Sequence, residues 1–176
     1  TREIPSLKWY YPENKNKENF KDEEVAVFSF SDLNTIKSLN RTLLPELPGA
    51  YKEAIALQKK HPQSELFLGN KATKQNFIKM YQNPRIKYIY LALHGNANST
   101  VKDDIKLYFR TETNGLDSLY GYELLQYQSD CRKIVLAACN SDVGKYVRGE
   151  GTYSLPRYFV LNGAREVVAF KELVLD

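Results

Sequence analysis

Two short apolar runs give the clearest pattern in this chain. Residues 86–93 (IKYIYLAL) and 133–138 (KIVLAA) contain few polar side chains. Runs of this length predict strands that are buried on both faces, as in a parallel sheet covered by helices. The first run ends directly before His94 and Gly95, and the second directly before Cys139. Because the carboxyl ends of neighbouring parallel strands share one edge of the sheet, the pattern predicts an imidazole and a thiol close together there.

The remaining segments alternate between strand and helix patterns. Further strands are predicted over residues 25–30, 65–68, 105–110 and 166–170, and helices over 49–60, 73–81, 120–127 and 151–161. Thr73 is a suitable N-cap, and Pro156 is compatible with the last helix only in its first turn, with Ser154 as the cap. This order predicts an α/β fold, a doubly wound sandwich with a mainly parallel central sheet.

Three segments depart from that regular alternation. Residues 31–47 and 140–150 are predicted to be loops. Residues 105–110 alternate apolar and polar side chains, which predicts a strand with one exposed face and places Arg110 on that face.

The composition indicates one globular domain. The chain has 176 residues, of which 43% are hydrophobic and 26% charged, enough to form a full core. We expect residues 1–24 to be an N-terminal extension or edge element and residues 25–176 to form the domain. No apolar run approaches the roughly 20 residues that span a bilayer, and no signal-peptide pattern is present, so no membrane association is expected.

Charge and cysteine content narrow the partners and the compartment. The net charge is +4, and the lysines near the start are interleaved with acidic residues. Mixed charges of this kind predict a solvated surface and no direct nucleic-acid binding. Two cysteines do not make a disulfide scaffold, which favours a reducing cytoplasm. Because the chain begins with Thr1 and stops after a predicted core strand, we expect it to be a fragment of a longer protein.

Cys139 and His94 are the strongest candidates for chemistry. A thiol is mostly protonated at neutral pH, so a nucleophilic cysteine needs a nearby imidazole or helix N-terminus to favour its thiolate. The backbone N–H groups of Gly95 and Cys139 are candidates for an oxyanion hole. The alternative is structural, because cysteine is among the most frequently buried residue types.

The other reactive residues fit structural roles better. Cys131 precedes its strand without a histidine nearby, and His61 lies at a predicted helix C-terminus, where it suits capping. One His-Cys pair does not supply the three or four ligands that zinc requires, so no metal or other cofactor is predicted. The glycines after Cys139 fit no phosphate-binding loop, which disfavours nucleotide binding by a flavodoxin-like sheet.

Several stretches together resemble a known family. They are residues 47–54, 66–77, 91–95 (LALHG), 134–144 (IVLAACNSDVG), 148–151 (RGEG), 155–159 and 162–168. They are similar to the motifs of CHAT domains, cysteine peptidases of bacteria and archaea that are related to caspases and separases. The resemblance covers about residues 25–170, and its segment around Cys139 is the most specific part.

The resemblance implies a caspase-like fold and a mechanism. His94 would be the general base and Cys139 the nucleophile of peptide-bond hydrolysis through an acyl-enzyme, with Gly95 in the oxyanion hole. Asp142 and Glu150 are candidates for a substrate pocket that accepts Arg or Lys, although loop carboxylates are usually only solvated. Relatives often carry helical repeats that sense a partner, so a regulatory region and a specific protein substrate are implied. They also usually continue past the last strand into further helices, which are expected to be missing here.

Two other functions stay open at this point. The chain could be a catalytically silent scaffold that keeps the fold and binds a partner. The disfavoured third function is nucleotide binding.

Overall fold

The computed structural model describes residues 24–37, 44–97, 104–137, 145–147 and 151–169, with the backbone alone at 37, 97, 145–147 and 151–153. In chain order its elements are β1 (Val25–Ser29), α1 (Leu33–Lys37), α2 (Pro48–Lys60), β2 (Glu65–Leu68), α3 (Lys74–Tyr81), β3 (Tyr88–Ala92), β4 (His94–Ala97), β5 (Ile105–Arg110), β6 (Leu116–Tyr120), β7 (Lys133–Leu136), β8 (Lys145–Val147), β9 (Gly151–Tyr153), α4 (Leu155–Leu161) and β10 (Glu166–Ala169).

The central sheet has five strands in the order β10-β7-β3-β1-β2, and every neighbouring pair is parallel. Its three central strands, β7, β3 and β1, are buried on both faces, as the continuous apolar runs predict, whereas the edge strands β10 and β2 are partly exposed. In β1, Val25 and Val27 belong to the core beneath α2, whereas Ala26 and Phe28 belong to the core that includes residues of α3 and α4. The predicted α/β sandwich with a parallel sheet is therefore confirmed.

A small antiparallel sheet lies between β3 and β7 in the chain. Its order is β4-β5-β6, and a single residue, Leu93, separates the end of β3 from the start of β4. His94 is thus the first residue of a new strand, where the sequence pattern predicted the end of a strand. The prediction for Arg110 was wrong, because its side chain is fully buried. The carboxylate of Glu46 and the carbonyl of Phe30 accept its hydrogen bonds.

The predicted loop over residues 31–47 contains a short helix, α1. Asp32 explains where it begins, because its Oδ1 atom accepts hydrogen bonds from the backbone N–H groups of Asn34 and Thr35, each at 2.7 Å. This is the N-cap role of an aspartate. The cap outweighs the weak helix propensity of the residues that follow.

The C-terminal part differs from the prediction in two places. Residues 151–153 form β9, although they were predicted to begin a helix. They pair with β8, which lies in the predicted loop over residues 140–150. Helix α4 begins at Leu155 with Pro156 in its first turn, as proline requires, and Ser154 is its N-cap residue without a side-chain hydrogen bond.

The helix predicted over 120–127 is a short 3₁₀ helix, Gly121–Gln126. Among the described helices, none has the length and apolar character that a bilayer span requires.

Candidate functional site

The strands β3 and β7, which lead to the two candidate residues, are direct neighbours. Tyr88 pairs with Lys133 and Leu91 with Leu136, a constant offset of 45 residues. The backbone N–H of Ala137 continues the ladder by donating to the carbonyl of Leu91 at 2.9 Å. His94 and Cys139 are separated by the same offset in the sequence.

His94 is oriented by a backbone carbonyl from a distant part of the chain. Its Nε2 atom lies 2.8 Å from the carbonyl oxygen of Pro45. A carbonyl oxygen only accepts hydrogen bonds, so Nε2 is the protonated nitrogen. In the neutral imidazole the lone pair that can accept a proton is therefore on Nδ1.

An aromatic ring from the end of β1 packs against the same imidazole. The ring centroids of Phe30 and His94 are 4.6 Å apart at an interplanar angle of 82°, an edge-on contact. Phe30 is fully buried, and its backbone N–H donates to the carbonyl of Ala92 at 2.9 Å. The end of β1 is thereby fixed to the end of β3, and the imidazole rests on a rigid apolar support.

A buried ion pair lies beside this support. The guanidinium of Arg110 pairs through Nη2 with the Oε1 atom of Glu46, and its Nε atom donates to the carbonyl of Phe30 at 3.2 Å. Its Cζ atom lies 4.1 Å from the centroid of the Phe30 ring, which is cation–π geometry. The other carboxylate oxygen of Glu46 accepts a 2.6 Å hydrogen bond from the hydroxyl of Ser31.

Of the other predicted site residues, the structure describes only Gly95. Gly95 pairs with Leu107 in the register of β4 and β5. Since β4 is at the edge of its sheet, alternate backbone groups of this strand point away from β5. Cys139, Asp142 and Glu150 lie outside the described residues, so the dyad, the oxyanion hole and the acidic pocket stay predictions.

The residues predicted to be structural are buried. Cys131 is 1% exposed, and its thiol donates to backbone carbonyls, including that of Lys87 at 3.2 Å. Burial is the main reason why the pKa of this thiol is raised to about 12, which makes a reactive thiolate inaccessible at neutral pH. His61 is the C-cap residue of α2, and its backbone N–H donates to the carbonyl of Leu57. The capping prediction for His61 is confirmed.

The sequence pattern did not predict the residues that hold the supports of His94 in place. Glu46, Ser31 and Arg110 come from three separate segments, and no spacing in the chain links them. The only available signals were Pro45 and Pro48 near the end of a predicted loop, which mark a rigid connection without indicating what it contacts.

Comparison with known proteins supports the predicted resemblance. A family model described as the CHAT domain matches residues 9–176. A comparison with curated individual proteins found no match. The family is related to caspase-like cysteine peptidases, and the parallel sheet with its flanking helices is consistent with a caspase-like fold.

Proposed function

The chain belongs to the CHAT domain family, and we propose that it is a regulated cysteine endopeptidase in which Cys139 is the nucleophile and His94 the general base. The observation that carries the proposal is the register of β3 and β7. Its offset of 45 residues equals the separation of His94 and Cys139, and both residues follow these strands within a few positions. Because neighbouring parallel strands end at the same edge of a sheet, this register supports a close approach of the two residues.

The orientation of His94 supports the same assignment. With Nε2 donating to Pro45, Nδ1 accepts the proton of the Cys139 thiol. The resulting imidazolium keeps its hydrogen bond to the carbonyl oxygen, which stabilises the positive charge. The imidazole and thiol thus exchange a proton while the ring stays in one orientation.

The reaction then follows from these roles. The thiolate of Cys139 attacks the carbonyl carbon of the scissile peptide bond, and the N–H groups of Gly95 and Cys139 stabilise the oxyanion. The imidazolium of His94 donates its proton to the leaving amine as the C–N bond breaks, which leaves a thioester. A water molecule, deprotonated by His94, then attacks the thioester. As the C–S bond breaks, the imidazolium returns this proton to the Cys139 sulfur, and the carboxylic acid product is released.

Substrate selection and regulation involve residues and segments other than the dyad. Asp142 and Glu150 would attract a basic side chain next to the scissile bond. A helical-repeat region or an activating partner would control access to a specific protein substrate, as the family resemblance implies. A silent scaffold remains the alternative outcome of the experiment that follows.

The experiment is a cleavage profile on a peptide library, read by mass spectrometry, with four forms of the full chain. We expect cleavage by the wild-type chain and by Cys131→Ser, which removes only the buried thiol. We expect no cleavage by Cys139→Ala or His94→Ala. Cleavage that persists in the Cys139 variant would reject the thiol mechanism, and no cleavage by any form, with or without lysate that could supply an activator, would favour the scaffold.

A further inference from the structure

The carbonyl that holds His94 belongs to a short segment between two elements. Residues 45–47 are in no helix or strand, and they lead directly into α2, which begins at Pro48. A hydrogen bond from such a segment orients a side chain only if the segment is itself fixed. The contacts that fix the carbonyl of Pro45 therefore decide how firmly the imidazole of His94 is held.

Glu46 supplies those contacts, because both oxygens of its carboxylate are held. Oε1 accepts from the guanidinium of Arg110, and Oε2 accepts from the hydroxyl of Ser31 at 2.6 Å. The same hydroxyl accepts a hydrogen bond from the backbone N–H of Leu47 at 2.7 Å. The residue after Pro45 is therefore anchored through its side chain, and the next one through its backbone.

Arg110 connects this anchor to the second support of the imidazole. Its guanidinium pairs with Glu46 and also covers the ring of Phe30, which contacts His94 edge-on. The Arg110 side chain is 0% exposed, and its Nη1 atom has no hydrogen-bond partner among the residues that the structure describes. Burying a charge with one donor unsatisfied costs stability, so this arrangement is better explained by what it positions than by a gain in stability.

We propose that Glu46 is a positioning residue for the imidazole of His94, acting through the Pro45 carbonyl, with Arg110 and Ser31 holding its carboxylate in place. The proposed role in catalysis rests on the proposed function, whereas the positioning itself does not. Loss of the Glu46 carboxylate frees the Pro45 carbonyl, weakens its bond to Nε2, and lets the proton exchange between the two ring nitrogens. The imidazole then presents its lone pair on Nδ1 for only part of the time.

The first test reads the tautomer of His94 by nitrogen NMR of the full chain labelled in histidine. The chain has two histidines, and His61→Gln assigns the signals. In the wild-type chain at a pH where the ring is neutral, we expect Nε2 protonated and Nδ1 unprotonated. In Glu46→Ala, and to a smaller degree in Glu46→Gln, both nitrogen shifts should move toward the averaged values of exchanging tautomers.

Glu123→Ala is the matched control. Its carboxylate is 22% exposed and pairs with Lys74 at 2.9 Å, whereas that of Glu46 is 17% exposed. We expect this control to lose stability without moving the His94 signals. Unchanged His94 signals in both Glu46 variants would overturn the proposal, and the milder Gln variant keeps the test informative if Glu46→Ala does not fold.

The second test measures alkylation of Cys139 by iodoacetamide at neutral pH. We expect the rate to fall roughly tenfold in Glu46→Ala and to stay unchanged in Glu123→Ala. A slow wild-type rate together with shifted His94 signals would reject the peptidase but retain the positioning role. A fast wild-type rate that Glu46→Ala does not change would reject the positioning role in catalysis but retain the peptidase.

Discussion

The Nε2 atom of His94 and the carbonyl oxygen of Pro45 lie 2.8 Å apart, although 49 positions separate the two residues in the chain. This hydrogen bond decides which ring nitrogen carries the proton, and it commits the other nitrogen to accepting one. It also gives an imidazolium a partner that stays in place during proton transfer. A histidine held in this way is suited to act as a base in one orientation.

Breaking the ion pair of Arg110 and Glu46 should lower stability strongly, because it leaves one charge buried without its partner. Arg110→Met leaves a carboxylate that is only 17% exposed without its counter-ion. We expect a loss of about 3–5 kcal/mol in the free energy of unfolding, measured by urea denaturation. The double variant with Glu46→Met should recover part of this loss, since no buried charge remains. Additive losses in the double variant would show that the two side chains are not energetically coupled.

Stability should fall at alkaline pH because of a buried thiol. Burial raises the pKa of Cys131 from 9.0 to about 12. Between these values the unfolded chain loses a proton that the folded chain keeps, so the stabilising effect is complete below pH 9 and declines as the pH rises toward 12. From pH 8 to 10.5 this group should remove about 2 kcal/mol from the free energy of unfolding.

The variant Cys131→Ser isolates that effect, because each chain is compared with itself at the two pH values. We expect the decrease from pH 8 to 10.5 to be smaller in the variant by about 2 kcal/mol. Tyr81, whose pKa is raised to about 12 mainly by burial and in smaller part by Cys131, is present in both chains. The same decrease in both would mean that the Cys131 thiol does not resist ionisation in the folded state.

Gly69 should tolerate no side chain. It follows β2 with a φ of +51°, and a Cβ atom there would lie 2.3 Å from a carboxylate oxygen of Asp32, the cap of α1. We expect Gly69→Ala to cost about 2–3 kcal/mol in thermal or urea unfolding, from backbone strain and the clash together.

Asn114 provides the comparison for backbone strain alone. It has a φ of +63° and is exposed in a turn. Asn114→Ala should therefore cost about 1 kcal/mol. Equal losses at the two positions would mean that Asp32 moves aside freely and that α1 does not depend on its cap.

The three inner strands of the central sheet were predictable because both of their faces are buried. Such strands carry apolar side chains at nearly every position, as in β1, β3 and β7, and the pattern is visible without knowing their neighbours. Helix α3 was predictable because its cap is also local: the Thr73 hydroxyl accepts a 3.1 Å hydrogen bond from the N–H of Asn76. These elements are specified by residues close to one another in the chain.

The surroundings of His94 were not predictable, because each contact joins distant segments. The alternating pattern predicts that Arg110 is exposed. In the structure Glu46, 64 positions earlier in the chain, supplies its counter-ion. The hairpin of β8 and β9 has three residues in each strand, too few for a period to appear. The pairing of His94 with Cys139 was inferred from strand order and family motifs. The register of β3 and β7 supports this pairing, although Cys139 lies outside the described residues.

Proton exchange between His94 and Cys139 is the central step of the proposed mechanism, and the pH dependence of thiol alkylation tests it. Iodoacetamide labelling of the full chain, followed by mass spectrometry of both cysteines from pH 5 to 10, should show Cys139 reacting at neutral pH and Cys131 remaining unlabelled. In His94→Gln the Cys139 profile should shift to higher pH, toward the ordinary thiol pKa near 8.5. Identical Cys139 profiles in the wild-type and His94→Gln chains, or labelling of both cysteines at one slow rate, would contradict the account.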